Sequence, residues 1–428
     1  MTAPTPPSRS QRAVLRHFRP SDMKAAAQLA TQATQGVIGI TEGVHQSVRR
    51  TLGLTAGATP SHTGGLTGQI YRGIRGVAAL VGQGSEAVLG ALLPLLEKPP
   101  AYPEASPQRE AVLAALNGVL GDRLVATGNP LAQPMTLRRE GQVLSLDDPN
   151  ALKEQLGEAA SPHLLLLIHG LCMNDTQWTR DGHNHGAYLA QAVGGTPVYL
   201  RYNSGRHVSD NGRELSLQLE RLVASWPVPL QRITMMGHSM GGLVARSAVQ
   251  AGRETGQHWP QMLREIVFLG TPHHGAPLER AGHGVDVLLD ATPFSRPFAQ
   301  LGKLRSAGIL DLRHGHVQEA DWRSPGGQSW RAGFDDQRVP LPLPEGVACF
   351  AVAATLAAQR GLLADRLTGD GLVPLNSALG QHDEARRRLV FAKNSQLIVC
   401  RTSHLDLLSS QKVAEQVRDW LTPHADVE

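Results

Sequence analysis

Cysteine is scarce: three residues in 428, Cys172, Cys349 and Cys400, widely spaced and without a C-x-x-C pair. That excludes a disulfide framework and fits a reducing compartment, so a cytoplasmic location is expected. Lysine is also rare, with six residues, so the 41 basic side chains are mostly arginine, and the net charge of +4 is small for this length. No basic stripe with interleaved aromatics is present, which sets nucleic acid aside as a partner. No apolar run reaches the roughly 18 residues that a membrane span needs. The opening Met1-Thr2-Ala3-Pro4-Thr5-Pro6-Pro7 lacks the apolar centre of a signal peptide. What is present, 41% hydrophobic and 18% charged residues, is ordinary globular composition. The length suits one large domain plus an appendage.

Periodicity divides the chain. Residues 1–20 read as a disordered, proline-containing lead, and residues 21–129 as a helical N-terminal region. Its first helix starts near Ser21 and carries Val37, Ile40, Val44, Val48 and Leu52; a second carries Ile70, Ile74, Val77, Val81, Val88, Leu92 and Leu95. A third is expected from about Gln108 to Leu124. Glycines punctuate the first two, each at a cost of roughly 1 kcal/mol against alanine. Close helix–helix packing, on the rest of the chain or in a homodimer, would offset that cost. A peripheral membrane contact through residues 21–98 is the alternative.

From 130 to 424 the pattern is α/β. Met135–Arg139 and Gln142–Leu146 flank Glu140-Gly141 as a hairpin, and His163–Ile168 is a continuous apolar run fit for a central strand. Further strands are expected at Pro197–Leu200, Ile233–Met236, Ile266–Leu269, Cys349–Ala353 and Leu389–Phe391. Helices are expected around Ala187–Val193, Leu215–Ser225, Leu243–Ala251 and Gln411–Leu421. Ser209-Asp210-Asn211-Gly212, followed by Glu214, reads as a helix cap and first-turn acid. A hairpin followed by βαβ units points to a mostly parallel, doubly wound sheet. Residues 275–345 break the alternation and read as a partly helical cap or lid insertion.

The most informative residues are Gly237-His238-Ser239-Met240-Gly241-Gly242. They stand between an apolar strand and a helix, the context in which G-x-S-x-G becomes a nucleophile elbow. A serine hydroxyl needs a neighbouring base to attack at neutral pH. Downstream, Asp370 lies in a glycine-framed loop and His404 lies before the closing helix, which gives the order serine, acid, histidine. Asp365 and Asp406 are the rival acids. Asp406 is too close in sequence to face the ring nitrogen well. His238 is expected to point away. Oxyanion donors are expected from the N–H groups of Met240 and of Leu171, in His169-Gly170-Leu171-Cys172. His273 and His274 are expected to line the substrate pocket. Asp181-Gly182-His183-Asn184-His185 reads as an exposed helix entry, and no metal site is expected.

His169-Gly170-Leu171, Gly237-His238-Ser239-Met240-Gly241, Leu269-Gly270-Thr271-Pro272-His273, Gly369-Asp370-Gly371 and His404 together resemble the α/β-hydrolase superfamily. The likeness is to its bacterial lipase/esterase and GPI inositol-deacylase-like branch. The resemblance covers about 130–424 and implies an α/β-hydrolase fold and carboxylic-ester hydrolysis on a small-molecule or lipid ester, without metal or organic cofactor. Activity should then decline as pH falls through roughly 6.5, where the base gains its proton. Acyl transfer on the same fold is one alternative. A surface-association protein in which the hydrolase body is secondary is another.

Overall fold

The computed structural model describes residues 107–276, 306–323, 336, 338–358 and 369–422. The expected lead and the helices expected within 21–98 lie outside them, as does much of the insertion. Helix α1 (Pro107–Ala126) leads to β1 (Thr136–Arg139) and β2 (Gln142–Val143), an antiparallel hairpin turning at Glu140-Gly141. Asp148 caps α2 (Pro149–Leu156) by accepting from the N–H groups of Asn150 and Ala151.

Then come β3 (His163–Ile168), the two-residue strands β4 (Thr179–Arg180) and β5 (His183–Asn184), α3 (His185–Val193) and β6 (Thr196–Arg201). They are followed by α4 (Val208–Ser225), β7 (Arg232–His238), α5 (Met240–Glu254) and β8 (Leu263–Leu269). The described part of the insertion holds α6 (Ala307–His314) and α7 (Glu319–Arg323). The chain closes with β9 (Ala348–Thr355), α8 (Leu375–Ala378), β10 (Gln396–Cys400) and α9 (Gln411–Leu421).

The strands lie in the order β10-β9-β8-β7-β3-β6-β1-β2. The six from β10 to β6 are parallel, while β1 joins β6 antiparallel. All six β3 residues are buried, as a strand covered on both faces requires. One face presents Leu165, Leu167, Met236, Val267, Leu269, Phe350 and Val352. They pack with Leu189 of α3 and Val413, Val417 and Leu421 of α9. On the other face Phe268 meets Gly242 of α5. This is the α/β-hydrolase fold: a mostly parallel sheet with flanking helices.

Two expectations need correction. The last strand is Gln396–Cys400, not Leu389–Phe391, where Val390 is 86% exposed. Helix α4 begins at Val208, so Ser209–Glu214 lies inside it instead of capping it. Glu110–Ala126 groups with the residues from Ala132 onward in one compact unit.

Candidate active site

Strand β7 ends at His238 and helix α5 starts at Met240, leaving Ser239 as the turn between them. Its backbone sits at φ 55°, ψ −124°, where a residue with a side chain is strained by roughly 1–3 kcal/mol. Glycine neighbours make the turn possible. A methyl group at Gly237 would strike the backbone of Gly242, and one at Gly241 would strike the carbonyl oxygens of Ile168 and His169. The Ser239 N–H donates to Leu269 O at 2.8 Å, tying the elbow to the end of β8.

His404 stands in the loop between β10 and α9. Its Nδ1 lies 2.7 Å from Asp370 Oδ2, and both side chains are 1% exposed. The His404 N–H also donates to Asp370 O at 3.0 Å. Carboxylate Oδ1 is engaged separately, accepting from the N–H groups of Leu372 and Val373 at 3.0 and 2.8 Å. Because a carboxylate accepts, Nδ1 of His404 carries a hydrogen, and in the neutral ring it is Nε2 that holds the lone pair. That Nε2 is buried and has no partner. Asp406 turns elsewhere, to the hydroxyl and N–H of Ser403 and toward Arg180. Asp365 lies outside the described residues.

The ring of His404 lies against the elbow. A Cβ placed at Gly270, next to the acceptor of the Ser239 N–H, would sit 3.2 Å from both His404 Cε1 and Asp370 Oδ2. Across from it, the ring centroids of His404 and His238 are 4.7 Å apart. His238 therefore does not point away from the site, as the sequence reading has it. Its Nε2 donates to His404 O at 3.0 Å. Burial, with His404 next in effect, pushes its pKa well below the ordinary histidine value.

The turn after β3 is bent at Cys172, φ 60°. Ser204 Oγ accepts the Cys172 N–H at 3.0 Å, and Gly170 O accepts that of Met173 at 3.3 Å. Leu171 lies buried in this turn, between Gly170 and Cys172. Tyr202 braces this turn: its hydroxyl donates to His169 O at 2.9 Å and its ring stacks on His169 at 4.3 Å. The Met240 N–H opens α5 and has no intrahelical partner. Burial pushes the Cys172 thiol up to about 12, so it packs as a neutral thiol.

His273 is 1% exposed, edge-on to Phe268 at 4.7 Å, with Arg246 3.5 Å from its Nδ1. Burial and then Arg246 push its pKa well down. His274 is half-buried, and burial pushes its pKa down to about 4. Nε2 of each ring is unpaired. The segment 181–185 is the entry of α3, as expected, with Asp181 and Gly182 exposed, but its exposure ends before His185. His185 is fully buried and bonds His183 Nε2 through its Nδ1 at 3.0 Å. Among the described residues no group of three or more His, Cys, Asp or Glu side chains could hold a metal ion.

Residues 161–327 match the family model described as the PGAP1-like alpha/beta domain. No curated protein matches the sequence. Among solved structures, the mature lipase BlEst2 of Bacillus licheniformis is similar at 17% identity and a TM-score of 0.41, over 68% of this chain and 98% of that one. A lipase-esterase related protein from Clostridium acetobutylicum is similar at 14% identity and 0.34, over 61% and 96%. Phospholipase PlaB from Legionella pneumophila is similar at 13% identity and 0.40, over 62% and 61%.

Proposed function

We propose that this α/β hydrolase is a serine carboxylesterase or lipase that cleaves acyl esters through an acyl-enzyme on Ser239, with no metal or organic cofactor. The observation that carries this reading is the buried Asp370–His404 pair, 2.7 Å apart, set against a strained serine turn. With Nδ1 held by the carboxylate, Nε2 of His404 takes the hydroxyl proton as Ser239 attacks the ester carbonyl, then returns it to the leaving alcohol. General-base assistance of this kind contributes about 10²–10⁴ in rate. Asp370 keeps the ring in its Nδ1–H form and stabilises the imidazolium. The N–H groups of Leu171 and Met240 receive the developing oxyanion, each donor being worth roughly 10²–10³. Water on the same face of the acyl-enzyme then completes the cycle. His273 and His274, at the exit of β8, are assigned to the substrate side.

The test is hydrolysis of p-nitrophenyl esters of graded acyl length by the wild type and by Ser239→Ala. Loss of turnover in a folded Ser239→Ala variant is expected, and unchanged turnover would overturn the reading. A rise in rate beyond the solubility limit of the ester would mark a lipase.

A further inference from the structure

Four of the contacts made by the turn that carries His404 reach its two ends from Asp370 and from two buried histidines. Two come from Asp370: the side-chain bond to Nδ1 and the bond from the His404 N–H to Asp370 O. The other two come from buried histidines. His238 Nε2 meets His404 O at 3.0 Å, and His185 Nε2 meets Leu407 O at 2.8 Å. The two anchor points lie three residues apart, at either end of the 404–407 segment. His238 belongs to the elbow itself, and His185 begins α3, so the base is tied both to the nucleophile's turn and to a flanking helix.

A carbonyl oxygen only accepts, so both rings must carry hydrogen on Nε2. For His185 the consequence continues outward. Its Nδ1 must accept, so His183 Nε2, 3.0 Å away, must donate. For His238, Nδ1 is a buried lone pair without a partner, and a Cβ at Gly170 would lie 3.2 Å from it. Trp178, fully buried, stands edge-on to both rings, with centroids 6.5 Å from each. It packs beside both rings as a shared apolar neighbour. Burial keeps both histidines neutral: the pKa of His185 is pushed down to about 4, and that of His238 well below the ordinary value. Neutrality matters, because a cation at His238 would oppose the imidazolium that forms on His404 only 4.7 Å away.

We propose that His238 and His185 are positioning residues for the base, a pair of neutral Nε2–H donors that suspend the 404–407 turn at both ends. Neither touches the reacting atoms; they act by setting where the His404 ring stands. This inference rests on the esterase reading for its catalytic consequence, though not for its geometry.

The test uses the full-length protein and covalent labelling of Ser239 by a fluorophosphonate. His238→Leu and His185→Leu are each expected to slow labelling by roughly 10- to 100-fold, the scale of a 1 Å displacement of a catalytic group. The low-pH limb of the rate profile should move with it. His238→Gln and His185→Gln keep an N–H donor and should recover most of the rate. Leucine variants that label at the wild-type rate, with an unmoved pH limb, would overturn the proposal. If a leucine variant does not fold, ring 15N shifts of the wild type decide: Nε2–H on both rings is expected, and Nδ1–H on either refutes it. A wild type that does not label at all refutes the esterase reading, and the 15N measurement still decides the positioning one.

Discussion

Asp370 presents different oxygens to different partners: Oδ2 faces His404 Nδ1 at 2.7 Å, while Oδ1 receives the N–H groups of Leu372 and Val373. Asp370→Asn therefore has a defined outcome. The amide oxygen would stay with the two backbone donors and its NH₂ would face Nδ1, which must then accept and push the hydrogen to Nε2. A ring in that form cannot take a proton from Ser239. A fall in kcat of roughly 10³–10⁴ with little change in KM is expected on a soluble p-nitrophenyl ester. Retention of the wild-type melting temperature would show that the loss is in tautomer and charge, not fold.

Arg201 on β6 pairs with Glu110 of α1 and with Asp175, and Arg138 on β1 also reaches Asp175 at 3.2 Å. These side chains are at most 16% exposed. Two cations balance two anions out of water, so removing one leaves a buried charge uncompensated, at a cost of about 3–5 kcal/mol. Asp175→Ala strips the shared acceptor from both arginines. A drop of that size is expected in urea unfolding. A change under 1 kcal/mol would mean that water replaces the carboxylate.

Acid should weaken the fold through its neutral histidines. His169 and His185 are unexposed with pKa values pushed down to about 4 by burial, and those of His238 and His273 are pushed well down. In the unfolded chain each titrates near 6.5. Above that pH both states are neutral and these groups contribute no pH dependence. Between about 6.5 and 4 the unfolded chain binds protons that the fold refuses, so stability declines as pH falls. Each such group contributes a slope of about 1.4 kcal/mol per pH unit. Urea midpoints measured from pH 7 to 4.5 should drop steeply, and a flat profile would contradict the buried neutral state.

Most of the sheet was legible because its order of apolar segments is the order of its strands, and β3 is apolar throughout because both its faces are covered. The Asp370–His404 pairing was legible from chain order and loop chemistry alone. What failed was decided by distant partners. Helix α4 starts at Val208 because Asp311, 103 residues onward, accepts the Val208 N–H at 2.8 Å. The local Ser209 cap signal loses to that long-range cap, and the Ser209 hydroxyl instead accepts from Trp322 Nε1. Leu389-Val390-Phe391 has strand-like composition, but β9 pairs with the later Gln396–Cys400 segment. The place of His238 was readable and missed. Strand alternation puts it on the same face as Met236, the face that receives Leu405 and Leu407 of the base's own loop.

The strained turn supplies the last prediction, in which activity and stability move apart. Ser239 holds φ 55°, ψ −124°, a conformation that glycine enters without a Cβ penalty. Ser239→Ala keeps the Cβ and thus the strain, while Ser239→Gly releases it. Glycine also widens the unfolded ensemble, which returns part of the gain, so the net difference is smaller than the roughly 1–3 kcal/mol of strain. Both variants should be inactive toward esters, yet the glycine variant should unfold at higher urea than the alanine variant, by about 0.5–2 kcal/mol. Equal stability of the two would mean that the turn is not held against its backbone preference. The elbow would then be a relaxed loop, not a constraint imposed by the packing of Gly237 and Gly241 against α5 and β3.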